Sequence, residues 1–241
     1  MLDKNTPLPE TVTEKDKSDK ISSNKETGKI VPDKKNETGK SSSKDSAESF
    51  CKGDNCPHVG VEKKAPWIKI AQEQCEKYKG KKEGNEPLYS QIKNVYFVIA
   101  KHEKKDPTKE AWCAAFISYC INKAGFKNSS YPSVAGYDWG VAPRKGLPRR
   151  GWFEGEKTKP FVGAIGVFKW HNGYSHVAIL IGKTPKGAHV FLGGNQNNEI
   201  NVTAYSEKRI DYYMKPKSYT ISSEEWNLPI ITKYKNSGSI G

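Results

Sequence analysis

No run of 18 apolar residues occurs in this 241-residue chain, so the sequence predicts no transmembrane helix. The opening Met-Leu-Asp-Lys-Asn-Thr-Pro lacks the apolar core of a secretory signal, and a Sec-type address is not expected. Residues 1–49 lack aromatic residues altogether, and ten lysines face ten acidic residues among Ser, Thr, Asn and Gly. Such a stretch buries too little apolar area to offset about 1–2 kcal/mol of backbone entropy per residue. The expectation for residues 1–60 is a disordered, polyampholytic tail.

Also missing is any Lys/Arg run interleaved with aromatics, the pattern of an element that reads nucleic acid, and specific nucleic-acid binding is not expected. Basic charge is nonetheless abundant. The tail is neutral, so the net +13 belongs to residues 50–241, where 30 basic residues face 17 acidic ones. A cationic surface of this kind favours anionic partners, the bacterial envelope among them, and speeds encounter without specifying chemistry.

Cysteines number five (51, 56, 75, 113 and 120), an odd set that leaves at least one thiol free. Cys51 and Cys56 bracket the turn-rich Lys-Gly-Asp-Asn, which suits a small disulfide loop in an oxidising compartment. A zinc site of these two with His58 is the competing reading, but a fourth ligand at suitable spacing is missing, and no metal is expected. Free thiols are the third reading.

After residue 60 the chain acquires helical periodicity. Pro66 leads Trp67, Ile70, Ala71, Cys75 and Tyr78, and Pro87 leads Leu88, Ile92, Val95, Tyr96 and Ile99. A third helix is predicted from Ala111 to Ala124, capped by Gly125. Residues 126–161 show no sustained period and read as a long loop region of the sort that shapes clefts. Five β-rich runs follow at 164–170, 174–182, 189–195, 199–205 and 210–214. The pattern is α+β, with helices on one side of an antiparallel sheet.

Cys113 falls in the first turn of the third helix, where the positive helix end lowers a thiol pKa and free backbone amides stand ready for an oxyanion. The bland alternative is a small buried residue on an apolar helix. His176 favours the functional reading, because it opens the most apolar strand of the chain, an odd place for a histidine to pack.

Hairpin arithmetic supplies a third member. With Thr184-Pro185-Lys186-Gly187 as the turn, paired numbers sum to 371 and His176 lies opposite Asn195, with Gln196 on the other face. His189 is the competitor, but in that register it sits about 20 Å from His176. His171 lies in a turn and reads as solvated; His58 and His102 carry no further signal.

These residues resemble the bacterial and phage CHAP and NlpC-like peptidoglycan hydrolases. The likeness runs over residues 65–215 and is carried by Ala65-Pro66-Trp67, Trp112-Cys113-Ala114-Ala115-Phe116 continuing to Ala124-Gly125, Ser175-His176-Val177-Ala178, and Leu192-Gly193-Gly194-Asn195-Gln196. The resemblance implies a papain-like fold, N-terminal helices packed on a small antiparallel sheet. It also implies a cofactor-free cysteine amidohydrolase domain over 61–215, followed by an extension at 216–241. Cys113, His176 and Asn195 become nucleophile, base and orienting residue. The amide of Cys113 becomes an oxyanion donor, with Trp112, Glu110 and Gln196 as further oxyanion or substrate contacts.

Two departures from the usual pattern stand out: Val162-Gly163-Ala164-Ile165-Gly166 replaces a common Pro-Gly-Asp-Ile-Val, and Ser175 replaces the Gly that often precedes the histidine. The activity implied is cleavage of an amide in the murein peptide through a cysteine thioester, as endopeptidase or N-acetylmuramoyl-L-alanine amidase. The expected setting is a lysin, a wall-remodelling enzyme or an injected antibacterial toxin acting in the periplasm or wall of the target bacterium. The last would have a secretion-machine carrier and a cognate immunity protein. A cysteine transferase or deamidase toxin acting on a host protein is the alternative, and a silent binding module is disfavoured by the intact Cys113, His176 and Asn195.

Overall fold

A computed structural model of the protein describes residue 56 and residues 64–129, 135–169 and 175–237, all within the compact unit Ser49–Gly241. The expected tail, Cys51, His58 and His171 lie outside the described residues.

Helix α1 spans Pro66–Lys77, with the proline in its first turn where no hydrogen bond is lost, and it buries Trp67, Ile68, Ala71 and Cys75. The Trp67 indole donates to Gly163 O at 2.7 Å, tying the helix to the entry of the sheet. Over the predicted second helix the chain forms α2 (Leu88–Gln91), a π-helical turn (Ile92–Tyr96) and α3 (Phe97–Ile99). Helix α4 (Cys113–Lys123) is apolar on nearly every side and buries eight of its eleven residues. It ends at Gly125, whose φ of 83° suits glycine, and Phe126 N closes the end on Ile121 O at 3.0 Å.

The five β-rich runs become β2 (Ile165–Phe168), β3 (Val177–Lys183), β4 (His189–Gln196), β5 (Glu199–Tyr205) and β6 (Ile210–Pro216). Two short strands join them, β1 (Gly155–Thr158) from the expected loop and β7 (Lys235–Asn236) from beyond residue 216. The sheet order is β1-β6-β2-β3-β4-β5-β7, and β7 runs parallel to β5. The expected small antiparallel sheet is therefore corrected to a mixed sheet of seven strands. Gly-Glu-Lys-Thr and Lys-Asn carry no apolar alternation, because edge strands owe their conformation to the partner strand rather than to a buried face.

Residues after β6 pack closely on the rest. Glu225 is buried and accepts from Tyr219 Oη at 2.7 Å and Ser222 N at 2.8 Å, while its carbonyl accepts from Val162 N at 2.8 Å. Ile231 N donates to Lys183 O at 2.8 Å at the far end of β3.

The cysteine pairing differs from expectation. Cys56 is bonded to Cys75, with Cα atoms 5.8 Å apart, and Cys113 and Cys120 are free, which corrects the proposed Cys51–Cys56 loop. Spacing reveals only which cysteines are neighbours along the chain, whereas helix α1 carries Cys75 to the partner. The bridge closes a loop of sequence separation 19. Cys56→Ser should then cost about 3 kcal/mol in urea unfolding under non-reducing conditions. An unchanged midpoint would show the bridge to be dispensable.

Candidate active site

Cys113 is the first residue of α4 and only 2% exposed. The backbone amides of Val177, Ala114 and Cys113 itself hydrogen-bond to the thiol and favour its anion, but burial outweighs them and pushes its pKa up to about 11. The expected depression by the helix end is thus reversed in the closed site, because removing a thiolate from water costs more than three amide dipoles return.

His176 sits one residue before β3, 2% exposed, with its carbonyl accepting from Phe168 N at 3.0 Å. The amide that reaches the Cys113 sulfur belongs to Val177, the next residue, so β3 and α4 bring thiol and imidazole into one site. Phe168 packs edge-on to the imidazole at 5.0 Å between ring centroids, and Tyr205 lies at 6.2 Å. A 3-10 turn, Gly136–Trp139, covers the other flank, so close that a Cβ on Gly136 would stand 2.8 Å from the His176 carbonyl carbon. Ser175 fastens this turn by accepting from Tyr137 N at 3.0 Å, which gives the hydroxyl that replaces glycine a structural task.

Burial lowers the His176 pKa to about 4, with the charge of Arg209 adding to the fall and Gln196 opposing it. Burial thus favours the uncharged form of both groups, the thiol of Cys113 and the neutral imidazole of His176.

That shift has a consequence for stability. An unfolded histidine binds its proton below about pH 6.5, whereas the folded one resists until about pH 4. Between those values the unfolded chain binds more protons, so stability falls as pH falls, by up to about 1.4 kcal/mol per pH unit. Burial lowers the pKa of His189 as well and adds to the trend. The urea midpoint should drop from pH 7 to pH 5, and less steeply in His176→Gln. Equal slopes in the two proteins would contradict a buried neutral imidazole.

The strand register decides what faces the imidazole. Ile179 pairs with Leu192 and Leu180 with Phe191, the sums of 371 expected from the hairpin, although a bulge shifts the turn end to Gly182↔Val190 and Lys183↔His189. Regular continuation would set Asn195 opposite His176. Instead β4 carries a second irregularity, because Gly193 pairs with Asn201 and Gln196 with Glu199, so three steps on β4 match two on β5. Asn195 takes a φ of 57° within this bulge, and Asn197 and Asn198, both at positive φ, form the two-residue turn that follows.

One extra residue reverses the alternation and swings Gln196 onto the face of Gly193 and Ala178. A Cβ on Gly193 would lie 2.9 Å from Ala178 Cβ and 3.2 Å from Gln196 Cδ. Gln196, expected on the opposite face, is the residue whose side-chain amide stands by the imidazole and favours its charged form. Among the described residues the Asn195 side chain makes no hydrogen bond.

Gln196 is held from behind. Its Nε2 donates to Asn201 O at 2.6 Å, Asn201 Nδ2 donates to Gln196 O at 2.6 Å, and Thr203 Oγ1 donates to Asn201 Oδ1 at 2.7 Å. With Nε2 engaged, Oε1 is the free end. Gln196 Oε1 and His176 Nε2 are both buried and fall short of full hydrogen-bond geometry with any described residue, and they are complementary when Nε2 carries the proton.

Trp112 and Glu110 are both engaged with other side chains. The Trp112 indole is fully buried and donates to Glu83 Oε2 at 2.7 Å, so it anchors the start of α4. Glu110 is ion-paired at the surface with Lys105 at 3.0 Å. His189 bonds through Nδ1 to the Tyr213 hydroxyl at the turn end of β4. His102 packs edge-on to Phe97. Sequence reasoning missed Phe168, Asn201, Thr203, Tyr205 and Arg209. Asn201, Thr203 and Tyr205 share one face of β5 by simple alternation, a polar stripe in a strand that is buried throughout, and that was the readable signal.

Residues 105–195 match the family model of the CHAP domain. No curated protein and no solved structure matches the chain. The matched stretch contains Cys113, His176 and Asn195 and stops one residue before Gln196.

Proposed function

Because residues 105–195 match the family model of the CHAP domain, a type that is typically a cysteine- and histidine-dependent amidohydrolase, we propose that this protein hydrolyses an amide bond in the peptide part of peptidoglycan. The observation that carries this reading is the meeting of the α4 N-terminus with β3, where the Val177 amide reaches the Cys113 sulfur beside His176.

The chemistry follows from the neutral pair. His176 Nδ1 takes the Cys113 proton as the sulfur attacks the carbonyl carbon, so the thiolate forms only while it is consumed. The carbonyl π electrons move to oxygen, and the Cys113 amide at the open end of α4 donates to the oxyanion. Collapse to the thioester breaks the C–N bond, and the imidazolium protonates the departing amine. Water then attacks the thioester with His176 again as base, releasing the acid and restoring the thiol. Gln196 Oε1 accepts from Nε2–H, keeps Nδ1 free of its proton and stabilises the imidazolium when it forms.

The Cys56–Cys75 bridge supports action outside a reducing cytoplasm, and the basic surface supports retention on an anionic wall. The test is digestion of purified peptidoglycan with mass spectrometry of the soluble products. New amino or carboxyl termini, absent with heat-inactivated protein, identify the bond. Digests indistinguishable from that control would sink the reading.

A further inference from the structure

We propose that Arg209 forms a carboxylate-binding subsite beside His176, so that the preferred substrates carry a free carboxylate close to the amide that is cleaved. This deepens the amidohydrolase reading and rests on it.

Arg209 closes the 3-10 turn Glu207–Arg209 between β5 and β6. Its carbonyl accepts from Lys169 N at 2.9 Å, pinning the turn to the end of β2, where Phe168 packs against the imidazole. The guanidinium carbon stands 5.4 Å from the centre of the Tyr205 ring, and that ring lies 6.2 Å from His176. The residue is half-buried at the rim of a site whose nucleophile and base are both covered.

Arg150 supplies the contrast. Its guanidinium is fully employed on the buried Asp138, through Nε at 2.8 Å and Nη2 at 2.7 Å. Arg209 has no carboxylate partner among the described residues, and its planar fork is the side chain best shaped to grip one with two parallel hydrogen bonds. The aromatic ring beneath it restricts its rotamers, so less freedom is lost on binding.

The position also has an electrostatic cost in the empty site. The Arg209 charge opposes protonation of His176, which a general base must undergo. A carboxylate on the guanidinium cancels that charge, so the base recovers strength when substrate is in place. Murein stem peptides offer such groups: the α-carboxylate of γ-linked D-glutamate, that of the diamino acid, and the C-terminus.

The experiment uses the full chain and a set of stem tetrapeptides in which each free carboxylate is converted in turn to the primary amide. One of these amides should lower wild-type kcat/KM by about 10- to 100-fold, mostly through KM, the usual worth of a charge-assisted pair. Arg209→Gln should lose as much on the acid form and nothing further on that amide, with partial recovery in Arg209→Lys. Lys186→Gln, which removes the same charge at the distant β3–β4 turn, should behave as wild type.

Equal wild-type rates on all peptides, or equal losses of Arg209→Gln on acid and amide, would overturn the subsite. Calorimetric titration of Cys113→Ala with the acid and amide peptides reads binding without turnover. Preference for the acid form supports the subsite even where wild type cleaves none of the peptides, an outcome that would count against the hydrolase reading alone. Equal affinity would refute the subsite.

Discussion

Cys113→Ala and His176→Ala should each lower peptidoglycan turnover by about four orders of magnitude, and the double variant should be no worse than either single one. The reason is the protonation state of the pair. A thiol with a pKa of about 11 is almost wholly protonated at neutral pH, so without His176 the nucleophile is absent rather than merely misplaced. Loss of either partner removes the same step, and such losses do not add. Gln196→Ala should fall between, by about 10- to 100-fold in kcat with KM little changed, because in the proposed mechanism Gln196 orients the base and does not touch the scissile bond. Asn195→Ala should do much less unless it upsets the bulge that Asn195 forms at φ 57°. Initial rates of soluble muropeptide release, with thermal midpoints as a folding check, measure all five. A full-activity Gln196→Ala together with an inactive Asn195→Ala would restore Asn195 as the orienting residue.

Alkylation of Cys113 by iodoacetamide should accelerate by about tenfold per pH unit, or about 1000-fold between pH 6 and pH 9, with no plateau. The sign follows from the two shifts. Burial raises the thiol to about 11 and lowers the imidazole to about 4, so the reactive thiolate is a trace species that grows with every unit of pH below 11. A thiolate–imidazolium pair would behave differently: its rate would be flat over the pH range in which the pair persists. A flat profile through pH 5–8 would overturn the neutral-pair description. Cys120 is also free but buried in the middle of α4, with its pKa raised by burial, and Cys113→Ala reports its background.

Much of this arrangement was legible because it depends on short-range order. Proline at the start of α1, the apolar face of α4 and Gly125 at its end follow from local rules, and those rules put Cys113 at a helix start. The apolar run that became β3 likewise put His176 at a strand start. Even the hairpin register near the site came out as expected at Ile179↔Leu192. The turn was longer by one residue, and the bulge near Ile181 absorbed the difference.

What failed was the assumption that alternation continues. The bulge at Asn195 exists because β4 must meet the Asn197–Asn198 turn and the narrow gap beside α4, where a Cβ on Gly194 would come within 2.5 Å of the Trp112 ring. No local pattern announces that steric demand, and it exchanged the faces expected for Asn195 and Gln196. The disulfide partner of Cys56 and the edge strands β1 and β7 escaped for a related reason, since each depends on a partner distant in sequence.

By itself, then, the sequence determined the helices, the main strands, the α+β class and the placing of Cys113 at a helix start and His176 at a strand start, because periodicity and end signals are local. Only the tertiary structure decided that Gln196 rather than Asn195 faces His176, where Arg209 stands, and that burial pushes the thiol pKa up and the imidazole pKa down. Those properties arise from burial and from contacts between distant segments, which exist only once the chain has folded.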